Sequence, residues 1–177
     1  MEHKSRRANI AGDVVEVRMS FRIRDADPMN DKPAALSFIL GSQQYEHAFE
    51  PDRRLDPGVA DEYYAALTGR VLTNKGRIFV ADENGCAIGW AVFLVEQNAL
   101  FVVEAQRSYG YIAELYVNES ARGLGVGRAL IAACEDEARR LGLGQIMIGV
   151  LARNARAAGI YERAGYSPYT SELRKYL

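Results

Sequence analysis

Arg122-Gly123-Leu124-Gly125-Val126-Gly127-Arg128 is the stretch on which the fold of this chain turns. It follows a strand-like segment, Tyr109 to Val117, and opens a helix expected from about Gly127 to Leu141. At such a junction the first helical N–H groups lack intrahelical acceptors and the helix dipole adds positive character, so the place favours an anion. The three glycines let the main chain approach a phosphate, and Arg122 and Arg128 flank the loop as charged donors, which suits a diphosphate. A tight turn that needs positive φ is the plain alternative. The loop is not a P-loop, because no Lys-Ser/Thr follows the last glycine. Nor is it a dinucleotide fingerprint: the spacing is GxGxG, and the fifty residues that remain are too few for the rest of a doubly wound sheet.

Downstream, Leu130, Cys134, Ala138 and Leu141 fall on one face of the helix, and Glu135/Arg139 and Asp136/Arg140 are spaced as outward i,i+4 ion pairs. Gln145 to Leu151 is a short apolar strand, Asn154 to Ala164 a helix closed by Gly165, and Tyr166 to Leu177 a final strand or strand pair. Upstream, Arg77–Asp82 and Ala87–Val95 are strands joined by Glu83-Asn84-Gly85, a hairpin signal. Two helices, about Ala34–Phe49 and Val59–Asn74, precede them, separated by Pro51, Pro57 and Gly58. An alternating strand runs from Val15 to Arg24. The order β, αα, ββ, βαβ, αβ gives an α/β chain with a mixed sheet and helices on its faces.

The 177 residues suit a single domain, 1–177, with a full core. The composition, 49% hydrophobic and 25% charged, is globular, and a net charge of −1 argues against bulk nucleic-acid binding. Cys86 and Cys134 show neither disulfide nor zinc spacing, so no metal is expected and both are read as small core residues. The start of the chain lacks an apolar stretch of the secretory kind, and the longest apolar run is too short for a bilayer, so the expectation is a cytoplasmic protein without a membrane partner. The N-terminal strand and the segment Tyr169–Leu177 offer edges through which a homodimer would pair.

Arg122-Gly123-Leu124-Gly125-Val126-Gly127 matches Arg/Gln-x-x-Gly-x-Gly/Ala, and the chain here resembles the GNAT N-acetyltransferase superfamily. The resemblance continues through Glu114-Leu115-Tyr116-Val117 before the loop and Asn154, Ala157, Tyr161, Gly165 and Tyr166 after it, a motif-bearing core of about 109–166. It implies a mostly antiparallel mixed sheet whose central strands splay apart to admit acetyl-CoA. The loop amides of Gly123, Leu124, Gly125, Val126, Gly127 and Arg128, with Arg122, would then hold the pyrophosphate. The strand Leu115, Tyr116, Val117 would run along the pantetheine arm, with the Leu115 N–H polarising the thioester carbonyl. Asn154 and Ala157 would border the cofactor, and Tyr161 would protonate the departing thiolate. An N-cap for Asn154 and a packed aromatic for Tyr161 are the alternative readings.

A primary amine acceptor is mostly protonated at neutral pH, so transfer needs a base. Strand alternation places Ile112, Glu114 and Tyr116 on the face opposite Ala113, Leu115 and Val117, which makes Glu114 the first candidate. Glu104 and His47 are reserves. Between Leu40 and Ala66, six acidic residues against Arg53 and Arg54 leave a local charge of −4, including Glu46 and Glu50. A cationic acceptor lined by Tyr45, Tyr63 or Tyr64 is one reading of that stretch, and solvated helix faces are the other. Polyamine, aminoglycoside, amino acid and peptide amines all remain open as acceptors. The reading from another class is an acyl-CoA-binding regulatory module without transferase activity.

Overall fold

The computed structural model describes residues 6–10, 13–17 and 20–177, the first two segments as backbone. There β1 (Arg6–Ile10) and β2 (Asp13–Val17) form an antiparallel pair. The main sheet has five strands in the order β3 (Arg22–Asp25), β4 (Arg77–Glu83), β5 (Cys86–Gln97), β6 (Ser108–Val117) and β7 (Ile146–Ile148). All pairings are antiparallel except β6 with β7. Helices α1 (Lys32–His47) and α2 (Gly58–Thr73) follow β3, α3 (Val126–Arg140) crosses from β6 to β7, and α4 (Ala155–Arg163) follows β7.

The sheet is buried on both faces, which is why β5 is nearly unbroken apolar sequence from Ile88 to Leu94. Phe79, Ala81, Ala91 and Phe93 meet Leu130, Ile131, Cys134 and Ala138 of α3 on one side. Val80, Trp90, Val92 and Leu94 meet Phe38 and Ile39 of α1 and Leu67 of α2 on the other. The expected hairpin forms with Asn84 and Gly85 at φ 52° and 86°, the left-handed pair of a two-residue turn.

Four expectations are corrected. The alternation from Val15 to Arg24 is carried by two strands, β2 and β3, with residues 18 and 19 outside the described ones; only β3 joins the main sheet. No strand forms after Ile148 among the described residues: Pro168 has no N–H to give a ladder, and Tyr169, Leu173 and Tyr176 lie exposed. Cys134 is core, but Cys86 is exposed beside the hairpin turn. Asp136 pairs with Arg139 and not with Arg140.

Arg140 turns instead to Glu137, which is 3% exposed and needs compensation for its burial. It donates from Nε and Nη2 at 2.8 and 2.6 Å, while Arg77 of β4 donates from Nη1 at 2.7 Å. These guanidinium contacts hold the Glu137 carboxyl at about 2, below its ordinary 4.5. A depressed acid contributes stability above its unfolded pKa and loses it as the pH falls through the folded one. Glu137→Gln should therefore lower the unfolding free energy by about 2 kcal/mol at pH 7. Urea titrations should show that deficit shrinking at pH 3.

Candidate active site

β6 carries ten residues, Ser108 to Val117, and its ladder with β5 slips once: Val92 faces Glu114 while Phe93 faces Ile112. Ala113 is the extra residue of a bulge, and a bulge breaks the alternation of faces. Ile112, Leu115 and Val117 pack on the α3 side; Ala113 and Tyr116 pack on the side of α1 and α2. Ile112 therefore does not share a face with Glu114, as strict alternation had it. Past Ile112, β6 keeps β5 as far as Val117 but loses its other neighbour, because the pairing with β7 covers only Gly110–Ile112 against Ile146–Ile148. The main chain of 113–117 is left with a free edge on that side.

The loop after β6 is pinned by two buried side chains, Ala121 and Val126, each 1% exposed. Between them Gly123 and Gly125 stand at φ 79° and 90°, conformations that L-residues adopt only under strain. Gly125 is the N-cap of α3 and no side chain caps it, so the first-turn amides keep their donors, and no acidic residue sits in that turn. Arg128 is exposed beside them. This donor set fits the pyrophosphate that the motif implies.

Arg122 behaves differently from Arg128. Its Nε donates to the Val117 carbonyl at 3.0 Å, and its guanidinium lies 5.4 and 5.7 Å from the ring centres of Tyr45 and Tyr116. It ties the loop to α1. Tyr116 is seated on Gly41, where a Cβ would stand 2.4 Å from the phenol oxygen, so a glycine inside α1 marks a close approach. Asn154 is the N-cap of α4: its Oδ1 accepts from the Ala157 N–H at 3.1 Å, and the residue is 7% exposed. The capping reading thus holds for Asn154, and Ala157 is its partner.

Glu114 projects toward α2. The Tyr63 hydroxyl donates to its Oε1 at 2.5 Å. Burial pushes the Glu114 carboxyl up to about 7; Tyr63 and Arg70 pull it down, and Glu46 of α1 pushes it up. Tyr161 of α4 packs with Tyr166 in the α3-side cluster. Its phenol is raised to about 12, by burial first and then by the charges of Glu46 and Glu114 from the opposite side. Glu114 and Tyr63 are thus brought together beside the free edge of β6, and the charges of Glu46 and Glu114 are felt at Tyr161.

The reserves fall elsewhere. His47 Nδ1 lies 3.0 Å from the Arg53 carbonyl, and Glu104 is exposed near Arg107. Tyr64 faces Lys32. The acidic stretch is compensated from within and from outside: Arg53 meets Glu46 and Asp52, Arg54 meets Asp56 and Glu62, and Lys32, from the start of α1, meets Asp61. Glu50 and Asp52 also hold Arg174 from the end of the chain, and Arg153 donates to the Phe49 carbonyl. Tyr63 was legible as a lining residue but not as the partner of Glu114, since 51 positions separate them. No helix among the described residues is long and apolar enough to cross a membrane.

Residues 42–166 match the model of the family described as Acetyltransferase (GNAT) family. A mutant of the BH1408 protein of Bacillus halodurans shares the fold with a TM-score of 0.73 at 22% identity, over 88% of this chain and 99% of that one. Glucosamine-6-phosphate N-acetyltransferase of Arabidopsis thaliana follows with 0.61 at 17% identity, over 89% and 98%. A transcriptional regulator of Bacillus halodurans gives 0.68 at 17% identity, over 89% and 100%. At these identities the likeness is one of fold. Among curated protein sequences, none matches the chain.

Nothing lies within 4 Å of a Cβ built at Gly125, so a side chain there is opposed by φ alone. Gly125→Ala should strain the cap by about 1–2 kcal/mol and, as the loop relaxes, weaken acetyl-CoA binding roughly tenfold. Calorimetric titration of the variant, with circular dichroism as the check on folding, measures this.

Proposed function

The chain belongs to the acetyltransferase (GNAT) family, and from that premise we propose that it transfers the acetyl group of acetyl-CoA to a primary amine, with both substrates bound together. The observation that carries this reading is Glu114: a carboxylate poised near neutrality, at the free edge of β6 and hydrogen-bonded by Tyr63 of α2. General-base catalysis is most effective when the pKa of the base lies near the working pH.

The amine arrives as an ammonium, with a lysine-like pKa of about 10.4. Glu114 takes one proton from it, directly or through a water. The nitrogen lone pair then attacks the thioester carbon; the C–N bond forms, the C–S bond breaks with its electron pair on sulfur, and the nitrogen releases its second proton to solvent, from which Tyr161 is later reprotonated. Tyr161 gives its phenolic proton to that thiolate. The raised pKa of Tyr161 keeps it protonated until then. The Leu115 N–H stabilises the charge that develops on the carbonyl oxygen, and the amides from Gly123 to Arg128 hold the pyrophosphate.

Direct attack fits the cysteines better than an acyl-enzyme does. Cys134 is fully buried, with its thiol pushed up to about 12, and Cys86 lies at the hairpin turn where β5 begins. A nucleophilic thiol needs a lowered pKa or an adjacent base.

Because the carboxylate is the active form, kcat/KM should rise with pH through about 7. Glu114→Gln should abolish that limb and lower the rate about 10²-fold. Tyr161→Phe should cost about 10²-fold in kcat while leaving CoA affinity within a factor of about three. Both are read from CoA thiol release across an amine panel that begins with polyamines. Saturable acetyl-CoA binding with no release from any amine would favour a regulatory acyl-CoA-binding module instead.

A further inference from the structure

We propose that Tyr63 is a positioning residue for the base: its hydroxyl fixes one oxygen of Glu114 from α2 and leaves the other oxygen for the acceptor ammonium. This rests on the reading of Glu114 as the base. The hydrogen bond to Oε1 is 2.5 Å long, and among the described residues no donor reaches Oε2. A carboxylate on a strand has a freely turning terminal torsion, so one fixed oxygen settles the direction of the second. Tyr63 is itself partly buried and held protonated by burial and by the neighbouring carboxylate, so it donates throughout the working range and does not compete as a base.

The hydrogen bond also acts on the charge. The groups whose charges couple to Glu114 are Glu46 from α1, Tyr63 and Arg70 from α2, Tyr111 from its own strand and Tyr161 from α4, and of these Tyr63 touches it. Burial and Glu46 disfavour the carboxylate; Tyr63 and Arg70 favour it. Of the favourable pair, Tyr63 makes the direct contact, while Arg70 is engaged with Glu96 at 2.8 Å. Without the phenol, Glu114 would remain protonated well into the alkaline range and its carboxyl would lose its orientation.

The test is a titration of the protein labelled with 13C-carboxyl glutamate and 13Cζ tyrosine, and it needs no acceptor. The Glu114 signal is identified by its loss in Glu114→Gln. Tyr63→Phe keeps the ring and removes only the donor. Its Glu114 midpoint should climb by about one pH unit, a tenfold change in proton affinity. An unchanged or lower midpoint overturns the proposal. In the unsubstituted protein the Tyr63 Cζ signal should follow the Glu114 midpoint, a readout that survives if Tyr63→Phe fails to fold; a Cζ signal that ignores this midpoint is the other refuting outcome. Transfer that persists in Glu114→Gln would instead sink the base assignment and leave these midpoints as they are.

Discussion

Between Ile112 and Glu114, β6 carries one residue more than the strand it pairs with, and the site depends on that offset. Counted from Ile112, strict alternation without the bulge at Ala113 would put Glu114 on the face of α3 and Leu115 and Val117 on the face of α1 and α2. With it, apolar residues fill the α3 side and the carboxylate meets Tyr63. The early end of the β6–β7 pairing supplies the rest. Two strands that separate after three paired residues leave free main chain on one of them.

Two carboxylates on this scaffold, Glu137 buried and Glu114 half-buried, show how surroundings assign roles. Glu137 collects three guanidinium hydrogen bonds and is held at about 2. Glu114 has one phenol, a neighbouring carboxylate and an arginine engaged elsewhere, and stands at about 7. The first stays ionised across the physiological range and serves the fold, joining β4 to α3. The second is balanced between its two forms, as the proposed base role requires. Desolvation raises both; what differs is how completely each is satisfied.

The elements of greatest local definition were legible in the sequence. The glycine loop, the amphipathic α3 and the Asn84-Gly85 hairpin each carry a signal that needs no distant partner. Glu114 and Tyr161 were legible as residue types at motif positions. The bulge was not, since it depends on the register of β6 against β5. Nor was the turn of Arg122 away from the loop, because its partners Tyr45 and Tyr116 come from different elements. The region 166–177 misled because its residues alternate well enough for a strand; an edge to pair with is a property of the assembled sheet. The −4 of the stretch from Leu40 to Ala66 misled likewise, as two of its countercharges, Arg153 and Arg174, lie more than a hundred residues away.

The two apolar clusters are separated by the sheet, and each supports a different half of the site. The glycine loop and α3 belong to one cluster, α1 and α2 to the other. On the proposed reading, recognition of the phosphates would fall to main-chain amides whose geometry is fixed by a few positive φ values, so that half would depend on those glycines more than on any side chain. The half that carries Tyr63 and Glu46 is built from side chains on helices and is free to be rewritten. Evolvability is therefore unevenly distributed over this molecule. Selection for a new acceptor would act on α1 and α2 with little disturbance to the opposite core, which lets one scaffold keep its donor chemistry while its clientele changes.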